Sequence, residues 1–187
     1  MSMQSGLRFV LALMMGLSPA VPLTAATVDV DLAGQVTYES GAGSRTIATD
    51  ATAAWLIDDD KAIAYAVRSN REGEPSDLFL YLIADATKRL IYSAPFVVDD
   101  VQWIPLPRQA PVLLVSMHDH GLGASHFAIV DPERGQLLLR RRAEVINRTG
   151  SRLTVATYPL QEWGHPDAKP SKTENLDIAT FAKTRRH

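Results

Sequence analysis

Residues 53–93, AAWLIDDDKAIAYAVRSNREGEPSDLFLYLIADATKRLIYS, and residues 101–141, VQWIPLPRQAPVLLVSMHDHGLGASHFAIVDPERGQLLLRR, carry one pattern twice. Trp55 aligns with Trp103, 48 residues on, and Asp85 with Asp131, 46 residues on. Each unit runs as a tryptophan-containing strand, a turn, an apolar strand, a polar loop, a second apolar strand, an aspartate turn and a closing strand. A third unit starts at Ala143 with AEVINRTGSRLTVATYP and lacks the tryptophan. Repetition at this period signals stacked supersecondary units.

Within the units the apolar period is two, the mark of strands. AIAYAV puts Ile63, Tyr65 and Val67 on one face and alanines on the other. DLFLYLIAD is apolar on both faces, which places it inside a sheet covered on both sides. DATK (85–88) and DPERG (131–135) each set an aspartate before a reversal, where a carboxylate can hold the turn's N–H groups. Long helical periodicity is missing; residues 48–56 have room for a helical turn or two. The expected fold class is all-β, an antiparallel meander of short strands arranged as blade-like repeats or as a β-sandwich.

The units resemble the four-stranded blades of TolB-type and Trp-Asp-repeat β-propellers, over about residues 50–158. In that family a tryptophan strand leads into an Asp-Gly-Lys type turn; here DDDK (58–61) lacks the glycine and PLPRQ in the next unit departs from it. The resemblance implies blades, and it implies that residues 68–76, 94–100 and 117–125 gather on one rim, where such proteins bind ligands. Propellers have about four to eight blades, whereas the chain holds fewer than four units of this length. A partial or degenerate propeller, a dimer that completes one, and a sandwich are the alternatives.

The flanks set the surroundings. Arg8, an apolar run from Phe9 to Leu17, prolines at 19 and 22 and small residues at 24–26 have the layout of an export leader, so residues 1–26 are expected to be a signal peptide. The run is about half of what a membrane-spanning helix needs. Removing residues 1–26 leaves 161 of the 187 residues and takes away one arginine and no acid, moving the formal charge from −2 to −3. A periplasmic or secreted protein is expected, with a β domain over 27–163. Residues 164–187 form a polar arm with a possible last strand, NLDIATF (175–181). Near-neutral charge argues against nucleic acid as a partner, because phosphate binding needs concentrated positive charge. The basic groups Arg134, Arg140, Arg141, Arg142 and Arg148, and the tail Lys183, Arg185 and Arg186, are expected to be solvated. With no cysteine in the chain, disulfides, thiolate metal sites and a cysteine nucleophile are excluded.

Chemistry-bearing residues concentrate in SMHDHGLGASHF (116–127), which holds three of the five histidines. His118, His120 and His126, with Asp119 or Asp100 nearby, are imidazole donors of the kind that bind zinc or copper. Their spacing fits no metal signature, and a polar hairpin loop explains them as well. Ser116, Ser125 and His126 lack the strained elbow a serine nucleophile needs. The acidic runs 58–60 and 99–100 sit where turns are expected. The first lacks the alternating ligands and glycine of a calcium loop. Trp55 and Trp103, at matching positions, are expected to pack in the core; Trp163, beside His165, is the exposed candidate. No coherent catalytic set or cofactor motif appears. The expected function is non-enzymatic binding of another envelope or exported protein, as an inhibitor, an immunity-type neutraliser or an assembly factor. Its contact surface would be Asn70, Arg71, Glu72, Asp99, Asp100, His118, Asp119, His120 and Trp163. The alternative is a periplasmic metal-binding protein that uses the three histidines.

Overall fold

The computed structural model describes residues 25–69, 75–119, 121, 123–162 and 167–183. The expected leader falls outside these residues except for Ala25 and Ala26, and the first strand begins at Thr27. Four antiparallel sheets follow one another along the chain. The first contains β1 (Thr27–Val30), β2 (Val36–Ser40) and β3 (Gly43–Ala48). The second contains β4 (Ala51–Ile57), β5 (Ala62–Arg68), β6 (Ser76–Leu82) and β7 (Thr87–Ala94). The third contains β8 (Val97–Leu106), β9 (Gln109–His118), β10 (Ser125–Asp131) and β11 (Gln136–Arg141). The fourth contains β12 (Glu144–Thr149), β13 (Arg152–Thr157) and β14 (Lys172–Asp177), followed by helix α1 (Ile178–Lys183). Strands pair in chain order within every sheet, so each is a meander. The sheets stand as blades of an open, propeller-like arc rather than as the two layers of a sandwich.

Period-two patterning decides what lies between the blades, since opposed residues on paired strands share a face. In the second blade Ala62, Ala64, Ala66, Leu78 and Leu80 face the third. Ile63, Tyr65, Phe79 and Tyr81 face the first, with Tyr65 and Phe79 stacked at 5.3 Å. β6 is therefore covered on both sides, as its sequence requires. The third blade repeats the arrangement. Leu113, Val115, Ala128 and Val130 turn back to the second blade, and Val112, Leu114, Phe127 and Ile129 turn forward to the fourth. Three apolar clusters thus glue four blades.

At the two ends of the stack the pattern becomes polar outside. Val28, Val30, Val36 and Tyr38 face inward, and Thr27, Asp29, Thr37 and Glu39 face out. In the fourth blade Val145, Leu153, Val155 and Leu176 face inward. Arg152, Thr154, Asn175 and Asp177 face out, and Thr154 donates to Asn175 Oδ1 at 2.9 Å. Polar terminal faces of this kind close off a stack of repeats.

Several expectations change. Residues 48–56 hold no helical turn: β3 ends at Ala48, Asp50 reverses the chain at φ 61°, and β4 follows, because pairing with β5 overrides a weak local preference. The last strand is Lys172–Asp177 rather than NLDIATF. Asp177 ends it and caps α1, its Oδ1 accepting from Ala179 N at 3.0 Å, and Ile178 and Ala182 bury one helical face in the third cluster. Trp55 and Trp103 pack on the same central cluster from opposite sides. Trp55 opposes Ala64 on the forward face of the second blade, and Trp103 opposes Leu113 on the backward face of the third. Aligning the units on their indoles therefore puts the pleats out of phase.

The turns show which local chemistry holds. Asp131 is 1% exposed, and its Oδ1 accepts from Glu133 N at 2.9 Å and Arg134 N at 3.3 Å, as the DPERG reading requires. The DDDK turn runs with Asp58, Asp59 and Asp60 all at positive φ, 53°, 49° and 65°. The corresponding turn of the third blade uses only Pro107 and Arg108, with Arg108 at φ 60°.

Candidate binding rim

Because every sheet is a meander, its connections alternate between two ends of the arc. One end collects the β1–β2, β3–β4, β5–β6, β7–β8, β9–β10, β11–β12 and β13–β14 connections. The three segments that the repeat assigned to one rim therefore share that end, and so does the connection that carries Trp163. Asn70, Arg71, Glu72, His120 and Trp163 themselves lie outside the described residues.

The described rim is built around the start of β8. Val98 pairs with Met117 and Asp100 with Ser116, which leaves Asp99 as the extra residue of a bulge. Bulges re-aim side chains, and this one directs the Asp99 carboxylate onto His118, Oδ1 to Nδ1 at 2.5 Å. Both side chains are partly open to solvent, 43% and 35%. Asp100 accepts from Gln102 Nε2 at 2.7 Å, and Gln102 Oε1 accepts from Arg148 Nε at 3.1 Å, tying the third blade to the fourth. Asp119 spends its carboxylate on its own loop, accepting from Gly121 N at 2.7 Å, while its N–H donates to Ala124 O at 3.0 Å.

His126 is placed elsewhere. It opposes Met117 across the β9–β10 pair, on the face turned to the central cluster, whereas His118 opposes Ser125 on the other face. Its ring stacks on Phe96 with centroids 4.1 Å apart. Burial pushes the His126 pKa down, aided by Arg142 and Arg140 and opposed by Asp119. Alternation along the β9–β10 pair puts His126 and His118 on opposite faces of the third sheet, and among the described residues no group of three metal-binding side chains converges; His120, the third residue of the expected zinc or copper set, lies outside the described residues. Ser116 and Ser125 share the His118 face, without an elbow at either serine.

Sequence reasoning missed the apolar part of this rim. Leu32, in the β1–β2 connection, and Leu160, in a 3₁₀ turn over Leu160–Glu162, both stand exposed there. The sign was present in DLAG (31–34), a turn whose solvent-facing position is filled by leucine.

Stacked antiparallel meanders of three or four strands, set in an open arc with loops massed on one rim, define a β-propeller type of architecture. Comparison with solved structures agrees. The β-propeller domain of the Trilobed protease from Pyrococcus furiosus, described as having an open velcro topology, is similar at a TM-score of 0.54 and 14% identity, over 81% of this chain and 52% of that one. An acylaminoacyl peptidase in complex with Z-Gly-Gly-Phe-chloromethyl ketone is similar at 0.50 and 11%, over 81% of this chain and 30% of that one. The chain thus spans about half of the first structure and under a third of the second. At these identities the likeness is one of fold. No family model matches the chain, and no curated protein matches it.

Proposed function

We propose that this chain is an exported, non-enzymatic binding module whose rim engages another envelope or exported protein, in the periplasm or outside the cell. One observation carries the reading: the bulge at Asp99 holds an open carboxylate–imidazole pair with His118 on the end of the arc where the loops of all four sheets meet. A bulge that re-aims one polar side chain toward solvent contributes little to the core, and loops on a rigid β scaffold are the usual carriers of recognition. The leader-like residues 1–26 support the compartment. Among the described residues no helix is long and apolar enough to cross a membrane. Asn70, Arg71, Glu72, Asp100, Asp119, His120 and Trp163 would complete the contact surface, and the partner would be a target to be inhibited, neutralised or assembled.

The test is affinity capture from the envelope fraction of the cells that make the protein. Wild-type chain, the Asp99→Ala/His118→Ala variant and the outer-face variant Arg152→Ala are compared. A species retained by wild type and Arg152→Ala and lost from the double variant is expected. All three should melt within about 4 °C of one another, since an exposed pair contributes about 0–1 kcal/mol. Equal capture by all three refutes the reading.

A further inference from the structure

A cavity of about 370 Å³ opens at the end of the arc opposite the loop-rich rim, in the crevice between the first and second blades. Tyr38, Ser40 and Arg45 line it from the first blade, and Ile83, just past β6, lines it from the second. Small residues make the room. The β2–β3 turn reads SGAGS (40–44), and a Cβ at Gly43, which sits at φ 120°, would meet no heavy atom within 4 Å. Arg45 opposes Tyr38 across the β2–β3 pair, so its side chain lies on the inward face of the first blade, turned to the second.

The Arg45 guanidinium is held from both blades. Its Cζ lies 5.3 Å from the centroid of the Tyr38 ring and 5.5 Å from that of Tyr81, both within the ~6 Å reach of cation–π attraction. Each tyrosine is only 8% exposed, so the rings are fixed walls. Nη2 donates to Ile83 O at 3.1 Å. Among the described residues no other acceptor takes the remaining N–H donors of the fork. Ser40 Oγ accepts from Ala42 N at 3.3 Å, which leaves its O–H to donate. No acidic residue lines the cavity, so the positive charge of Arg45 has no counter-charge there.

We infer that this crevice binds a small oxyanion, the carboxylate or phosphate group of a low-molecular-weight ligand, with the Arg45 fork as its main donor and the Ser40 hydroxyl beside it. An arginine that merely shields the edge of the first apolar cluster would turn its fork to open water. Here two rings and a carbonyl of the neighbouring blade aim it along a concave wall. The planar fork matches the oxygens of carboxylate and phosphate two at a time, and a fork that is already immobilised loses less freedom on binding. The volume falls at the low end of the roughly 300–1,000 Å³ of small-molecule pockets, which suits a small organic acid or phosphate rather than a folded partner. The site lies away from the rim and shares no residue with it, so it stands whether or not the rim engages a protein.

The experiment titrates the full chain with sodium phosphate and, separately, with sodium succinate, at an ionic strength held constant with chloride, and follows backbone amide resonances. Saturable shifts centred on Gly43, Ser44 and Ile83 are expected with at least one of the two anions. A response to phosphate alone assigns a phosphorylated ligand, and a response to succinate alone assigns a carboxylic acid. Arg45→Lys keeps the charge and loses the fork; it should weaken binding at least about tenfold, the loss of one charge-assisted hydrogen bond. Ser40→Ala should weaken it roughly three- to tenfold, and Arg152→Ala, on the outer face of the fourth blade, should leave it unchanged. Shifts that grow linearly with both anions across the millimolar range report charge screening alone and overturn the site. Equal affinity in wild type and Arg45→Lys overturns it too. Should Arg45→Lys fail to fold, Ser40→Ala decides, and unaltered affinity there removes the site. Asp99→Ala/His118→Ala should titrate as wild type; loss of binding in that variant would move the anion to the rim and end this assignment.

Discussion

Replacing Arg108 by glycine should stabilise the protein. β8 and β9 are joined by Pro107 and Arg108 alone. Proline fixes φ near −65° at the first position, and Arg108 follows at φ 60°, the pattern of a type II turn, which asks for glycine second. A side chain held in the left-handed region costs roughly 1–2 kcal/mol. Glycine removes that cost but gives back about 0.4–1 kcal/mol through the greater freedom of the unfolded chain. The net gain lies between about 0 and 1.6 kcal/mol and centres on about 0.8 kcal/mol, or about 2–3 °C in Tm for a chain of this size. Arg108 also borders the groove between this turn and α1, so Arg108→Ala is the necessary control. It loses the same side-chain contacts and charge and keeps the Cβ, so only the backbone term separates the two variants. Urea unfolding followed by the fluorescence of Trp55 and Trp103, both on the central cluster, gives the free energies. If Arg108→Gly is no more stable than Arg108→Ala, the turn is not strained in the way its φ requires.

Three further outcomes are expected. Gly34→Ala should destabilise by about 1–3 kcal/mol, because residue 34 combines positive φ with a 2.9 Å approach to Ala51 O; a denaturation midpoint equal to wild type would contradict it. Asp131→Ala should cost about 1–3 kcal/mol by removing the buried carboxylate that accepts from Glu133 N and Arg134 N, hydrogen bonds to a charged group, and Asp131→Asn, which keeps an acceptor, should cost less. The folded state resists protonation of His126, whose pKa is pushed down chiefly by burial. An unfolded histidine titrates near 6.5, so below that pH the unfolded chain takes up a proton the folded chain refuses. Stability should therefore fall as pH drops through about 6.5 and level off below the depressed value, with no effect above. Urea midpoints from pH 8 to pH 5 for wild type and His126→Gln should converge at low pH if His126 is responsible.

What the sequence disclosed was whatever period-two patterning and turn chemistry encode locally. AIAYAV and DLFLYL declare their faces, and both faces of each are filled by neighbouring blades. DPERG declares its turn, and Asp131 holds it. The indoles misled because a tryptophan strand is a family mark rather than a statement of phase; only the pairing of Trp55 with Ala64 and Trp103 with Leu113 reveals that the two rings approach one core from opposite sides. His118 and His126 looked like neighbours in the chain, and hairpin register, which a sequence does not specify, turned them apart. Asp99 was legible as an acidic turn residue, but its bulge depends on β9. Leu32 was visible in print and uninformative there, since a leucine near a strand end usually faces inward.

The outward polar faces of Asp29 and Glu39 at one end, and of Arg152 and Asp177 at the other, leave the first and last blades with a single neighbour each. In a ring every blade is gripped from two sides; here the terminal ones can peel away while the middle pair stays intact. Amide hydrogens of β2 and β13 should then exchange with solvent well before those of β6 and β9. Anything that bridges the first and last blades would register first as slowed exchange at those two extremities.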